Sequence, residues 1–341
     1  MSTDETKLDG QSLQLFLQNS EYDVPKEFYE QFSDLPASDL DIFSRFWKTG
    51  TIQRKLDFFE GLELTAASET LVSYEALGMM LIHDPAPAIR KAAIELLWES
   101  EDYRFADELF QIAKDDADIS VQIAAVRALG TYVYLGELDK FSDHKKEAIE
   151  NYLLEVIHSD EIGYKRQKAL ESLGYSCLDE IPDLIQKAVD SHDQDWLLSA
   201  LIAMGRTVDE QWEPYVLENL DHQDTEIQLE AMRTAGELEI GAAVEFLVAF
   251  IEDSDEISDE YFTTIVWALS QIGGDTTIEL INTLLENAQS EEDIEFLENA
   301  LDNLEIKHSN DSLDFFSFDP ANDHFHAEGL DDEDAYVDDI E

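Results

Sequence analysis

Apolar residues recur along this chain with helical spacing, and the pattern itself repeats. In residues 121–130 the apolar or small positions Val121, Ala124, Ala125, Ala128 and Leu129 fall at offsets 0, 3, 4, 7 and 8. That is one face of an α-helix and not the alternation of a strand. Related segments stand at residues 89–98, 165–174, 196–205, 227–236, 261–270 and, weakly, 293–302, so the final positions lie 32, 44, 31, 31, 34 and 32 residues apart. A period in the low thirties with one longer step predicts a stack in which each unit buries its apolar face against its neighbours. A small residue at offset 4 (Ala93, Ala125, Ala169, Ala200, Ala231) predicts close helix approach, and an apolar residue at offset 5 in every strong copy predicts an inner helix. Each copy is preceded by a second amphipathic segment, for example Thr277, Leu280, Ile281, Leu284 and Leu285, which predicts an outer partner. Turn signals separate them: Asp84-Pro85, Gly273-Gly274, and a capping box from Thr276 to Glu279.

Residues 84–97, with Asp84-Pro85, Ile89, Arg90, Ala92, Ala93 and Leu97, resemble a unit of the HEAT-like repeat family, in the short variety also found in phycobilisome lyase subunits. The resemblance covers roughly residues 70–306. It implies an all-α fold, an α-solenoid of stacked two-helix HEAT-like repeats. It also implies an inter-repeat ladder between turn aspartates and an arginine at offset 1. Only Arg90 and Arg166 match that arginine; Gln122, Leu197, Gln228 and Phe262 stand at the other copies. The expected organisation is an atypical helical N-terminal cap over 1–69, the repeats over 70–306, and an acidic, disordered tail over 307–341. Helices are expected at residues 11–17, 42–47 and 71–81, and a longer inter-helix excursion at 132–146.

Composition then limits function. The 79 acidic against 21 basic residues leave a net charge of −58, a field that disfavours nucleic acid and anionic membranes and favours a basic protein partner. A solvated surface and adaptation to high salt account for the same acidity. Hydrophobic residues at 44% still supply a core. One cysteine, Cys177, permits no internal disulfide, and a polar start without a signal segment fits a reducing cytoplasm. No apolar run approaches the roughly 18 residues that span a bilayer, so no membrane insertion is expected.

Reactive chemistry is not legible. None of the eight histidines has metal-site spacing, the acidic run at 253–260 has Ile257 and Ser258 where a calcium loop needs a ligand and glycine, and Gly273-Gly274 lacks the lysine of a phosphate loop. No cofactor, metal or catalytic residue is expected, and the chain is expected not to be an enzyme. Five arginines, Arg90, Arg127, Arg166, Arg206 and Arg233, lie on or just after inner helices, which line the concave face of such a solenoid. Leu198, Ile202, Arg233, Phe262 and Trp267 are the candidate partner-binding residues, either core and turn-pairing groups or a basic, aromatic groove for an acidic amphipathic peptide. In the tail, Phe315, Phe316 and Phe318 alternate with acids beside no Lys or Arg after residue 307. These suit docking into an apolar groove lined by bases, or patching of the last repeat. The leading function is a non-catalytic protein-binding scaffold or adaptor; the alternative is a lyase-type or chaperone-like protein that holds a chromophore or client during modification.

Overall fold

A computed structural model describes residues 10–22, 24–25, 27–69, 71–252 and 257–314, with the side chains of residue 68 and of residues 307–314 outside the description. Among the described residues every regular element is helical. The chain divides into two compact units, Met1–Ile272 and Gly273–Glu341.

The first unit opens with α1 (Gly10–Gln18), α2 (Glu27–Glu30), α3 (Ala37–Trp47) and α4 (Ile52–Ser68). Phe28, Phe32, Phe43 and Trp47 surround Phe58, the closest pair being Phe32 and Phe58 with centroids 4.8 Å apart and rings perpendicular. This apolar cluster lets short helices of weak propensity hold together. Residues 71–74, expected as helix, are not helical; the helix there is α5 (Glu75–Leu81).

The repeats follow as outer and inner helices: α5 with α6 (Pro87–Leu96), α7 (Tyr103–Asp115) with α8 (Ile119–Glu137), α9 (Asp143–His158) with α10 (Gly163–Leu173), α11 (Ile181–Asp190) with α12 (Gln194–Thr207), α13 (Glu213–Asn219) with α14 (Thr225–Glu237), and α15 (Val244–Glu252) with α16 (Asp259–Ile272). One-turn 3₁₀ helices at Glu210–Trp212 and Gly241–Ala243 lead into α13 and α15. Asp118, Asp193 and Asp224 start inner helices by accepting a hydrogen bond from a backbone N–H in the first turn, as N-cap residues do. The inner helices pack on one another in succession from α4 through α16, and each outer helix packs on its own inner partner.

Ala93, Ala125, Ala169, Ala200 and Ala231 are fully buried, as the small-residue pattern requires. The tightest backbone approach, however, lies at offset 9 against offset 7 of the next inner helix. A Cβ on Gly236 would stand 2.7 Å from Ala268 Cα, and one on Gly174 would stand 2.8 Å from the Ala203 carbonyl oxygen. At the same register the hydroxyls of Ser172 and Thr234 donate to the carbonyls of Val126 and Leu201, at 3.0 and 3.1 Å. Small residues at offset 7 thus serve both steric fit and hydrogen bonding.

The ladder is present in altered chemistry. Arg90 Nη1 donates to the Asp84 carbonyl (3.0 Å), and its Nε and Nη2 grip the Asp116 carboxylate at 2.7 and 2.6 Å. Gln122, Arg166 and Gln228 donate to the carbonyls of Asp116, Ile157 and Leu220. Each occupies offset 1 and satisfies a carbonyl at the end of the preceding outer helix, where intrahelical donors run out. These three bonds lie within a repeat; between repeats, Gln122 and Gln228 accept from Lys165 Nζ and Tyr261 Oη of the next inner helix at 2.8 and 2.6 Å.

Two expectations are corrected. Residues 132–137 form no excursion: α8 continues through them to Glu137, and the extra length of the 44-residue step goes largely into its added turns. That helix is also long and apolar enough to cross a membrane by composition, contrary to the sequence estimate. Its residues are apolar around most of the circumference because α6, α7, α9 and α10 all pack on it.

The second unit holds α17 (Asp275–Asn287) packed on α18 (Glu291–Asp314). The capping box at Thr276 does not form. Gly273 and Gly274 at φ 85° and 100° carry the chain into the helix two residues earlier, at Asp275, a conformation that suits glycine. The backbone of α18 continues past the boundary drawn at 306/307 to Asp314.

Candidate functional site

At 100° per residue, offsets 0, 4 and 8 of an inner helix face its outer partner, 7 and 9 face the neighbouring inner helices, and 2, 3, 6 and 10 point to the inner face, where 2 and 3 are buried in several copies, as at Ala92, Ala124, Gln167, Ser199 and Leu229. Leu198 and Ile202 on α12, Arg233 on α14 and Trp267 on α16 all occupy inner-face positions; Arg233 is exposed and the other three are half-buried. Trp267 leans over α14, with its Cζ3 2.9 Å from where a Cβ on Gly236 would be. Phe262 is not part of this group. It occupies offset 1, about 140° around the helix from Trp267, on the side where Arg90, Gln122, Arg166 and Gln228 meet the outer layer. The tail residues Phe315, Phe316 and Phe318 lie outside the described residues, as do residues 253–256 of the acidic run.

Three acids, Glu171, Glu230 and Glu237, stand among the arginines of this face. Glu171 is buried on α10, where its carboxylate accepts from Lys168 Nζ at 2.8 Å and from Ser199 Oγ of α12 at 2.7 Å. Arg206, following the open row on α12, donates through Nη1 to the Glu171 carbonyl at 2.7 Å. Its guanidinium lies 4.8 Å from the Tyr175 ring centre, and Tyr175 in turn sits 5.3 Å from Tyr134. Arg233 Nε stands 3.6 Å from Glu230 Oε2. Burial pushes the Glu230 carboxyl up to about 7; Arg233 and Arg206 pull it down, while Glu237 and Glu171 push it further up. Burial likewise raises Glu237, opposed by Arg206 and Arg233. One of its oxygens occupies the space a Cβ would take on Gly205 of α12.

The open face from α10 to α16 is therefore mixed, with apolar Leu198, Ile202 and Trp267 beside interleaved acids and bases. It is not the basic groove that arginine placement suggested, because Glu171, Glu230 and Glu237 stand among those arginines. In a chain with 79 acidic residues no single glutamate stands out. The usable signal was register: offsets 3 and 10 share the face of offset 6.

Elsewhere, His83, His192 and His222 lie between helices: His222 Nδ1 accepts from Asp224 N–H at 3.0 Å, and His83 Nε2 lies 3.6 Å from Glu108. Cys177 is exposed, and burial of its thiol together with neighbouring Glu137 raises its pKa, the reverse of an activated nucleophile. Among the described residues no group of three or more His, Cys, Asp or Glu side chains is placed to hold a metal ion.

Against known proteins, residues 74–148 match the family described as HEAT repeats. The X-ray structure of YibA from Escherichia coli, a structural genomics target, is similar at a TM-score of 0.41 and 15% identity, covering 84% of this chain and 98% of that one. No curated protein matches the sequence. The described residues form an all-α solenoid of paired helices, of which residues 74–148 match HEAT repeats.

Proposed function

We propose that this protein is a non-catalytic scaffold or adaptor that binds a partner protein through the open face of α12, α14 and α16. The observation that carries the reading is the exposure of apolar Ile202 and Trp267 in register with Arg233 on successive inner helices. Half-exposed aliphatic and tryptophan side chains flanked by arginine are the composition of interface energetic centres, and the stack presents them as one surface. The charge of −58 selects protein over nucleic acid, since phosphate binding draws on unpaired cations, and it speeds encounter with a basic partner. A reducing cytoplasm is the proposed setting.

Affinity capture with the purified wild type and with the double variant W267A/R233E, each at low and high salt, tests this. The expected outcome is loss of the captured protein from the folded double variant. Undiminished capture by that variant would remove the inner face as the binding surface, and salt-labile capture of nucleic acid alone would remove the scaffold reading.

A further inference from the structure

The one long step in the repeat series builds a second surface on the outer layer. Side chains join the outer helices α7 and α9: Phe110 and Tyr152 meet with ring centres 5.5 Å apart, and the Tyr152 hydroxyl donates to the Ala113 carbonyl at 2.6 Å. Between the helices lies a cleft of about 340 Å³, floored by Ala106, Phe110, Phe141, Ala148 and Ile149. That is the size and apolar lining of a binding pocket. The lip is polar. Asp107 and Glu108 come from α7; Lys145 from α9 closes over Asp107 with contacts of 2.7 and 2.8 Å, His144 of α9 also lines the cleft, Glu108 lies 3.6 Å from His83, and Lys114 Nζ stands 4.0 Å from the Phe110 ring centre.

We propose that this cleft docks a basic amphipathic helix of a partner protein, which inserts apolar side chains onto the Phe110–Ala148 floor and sets its cations against Asp107 and Glu108. The proposal is independent of the inner-face reading. A helix suits the shape because the walls are themselves helices. The lining on α7 runs from residue 106 to 111, about 7.5 Å at 1.5 Å per residue, which accommodates side chains at i and i+4 of the guest, about 6 Å apart. Basic charge suits the lip and the chain. Lys145 and Asp107 form an exposed pair, which contributes little and is readily exchanged. A net charge of −58 repels an acidic guest and steers a basic one.

Fluorescence anisotropy of a labelled synthetic leucine–lysine amphipathic helix, titrated with the full chain, reads this out, with the leucine–glutamate counterpart as comparison. Ala148→Trp fills the cleft from a half-exposed position, and Asp107→Asn with Glu108→Gln removes the lip charge without changing volume. Glu180→Gln with Asp183→Asn, exposed on or beside α11, removes the same charge away from the cleft. The expected result is that A148W and the lip variant each weaken binding about tenfold or more, while the α11 variant changes it by less than about twofold. Equal affinity in A148W, equal weakening by the α11 variant, or preference for the leucine–glutamate helix would each overturn the proposal. An unchanged circular dichroism melt confirms that A148W folds, and the lip variant gives the same answer without touching packing.

Discussion

Asp84→Ala is the substitution whose cost can be worked out most fully. Asp84 is 7% exposed, at the turn into α6, and one carboxylate carries three bonds. Its Oδ2 accepts from Trp47 Nε1 at 2.8 Å and Lys55 Nζ at 3.4 Å, and its Oδ1 from the Ala86 N–H at 2.8 Å. Lys55 is itself 8% exposed, so alanine leaves a buried ammonium without a counter-charge. That alone costs about 3–5 kcal/mol. The unpaired indole N–H adds about 1–3 kcal/mol, but water admitted to the vacated space serves both donors, so the two do not sum. A total of about 4 kcal/mol follows. Asp84→Asn keeps an acceptor for Trp47 but removes the charge and turns its NH2 toward the Ala86 N–H, so it too should cost about 3 kcal/mol. Lys55→Met on either background should recover most of the loss, because the charge that lacked a partner is gone. Urea titration followed by circular dichroism and Trp47 fluorescence measures each corner of this cycle. A cost below about 1 kcal/mol for D84A, or purely additive effects of D84A and K55M, would refute the account of how the N-terminal helices are fastened to the repeats.

Other expectations follow from the same geometry. Gly236→Val should overpack the α14–α16 approach and cost about 1–3 kcal/mol, whereas Gly241→Ala, which meets nothing within 4 Å, should be near neutral in the same melt. Arg90→Lys should not rescue Arg90→Ala, because an ammonium cannot hold both Asp116 oxygens and the Asp84 carbonyl at once; each should lose about 1.5–3 kcal/mol in urea titration. Glu230 gives a pH signature. Its carboxyl titrates near 7 when folded against 4.5 ordinarily, so between these values the folded chain binds more protons and stability falls as pH rises. The wild type should therefore lose up to about 3 kcal/mol relative to Glu230→Gln between pH 4.5 and 8. Parallel stability curves for the two proteins over that range would refute the burial of this carboxyl.

The fold was legible because it is written redundantly. Six strong copies of one pattern place their apolar residues on inner helices, and the fully buried Ala125, Ala200 and Ala231 are the residues the pattern marked. What escaped it depended on partners distant in sequence. At Gln122 and Gln228 the link to the next repeat is an amide oxygen accepting from Lys165 or Tyr261, partners distant in sequence that a search for offset-1 arginines does not find. The Thr276 capping box failed because two adjacent glycines supply a backbone route that side-chain signals do not register. At the candidate site, offset 6 places Ile202, Arg233 and Trp267 on one face of successive inner helices, while Phe262 entered on aromatic character without regard to its angle on α16. Glu230 and Glu237 were invisible because their surroundings, the Glu237 carboxylate against Gly205 of α12 and Glu230 between Arg206 of α12 and Arg233, depend on a partner helix that no local sequence feature encodes.

Site-specific photo-crosslinking tests the central claim most directly. A photoreactive residue is placed at Ile202 or at Trp267, on the open face, and at Asp183 on the outer helix α11, and each protein is irradiated in complex with the captured partner. The account requires a protein partner to crosslink from positions 202 and 267 and not from 183. Crosslinking from 183 with none from 202 or 267 would contradict it.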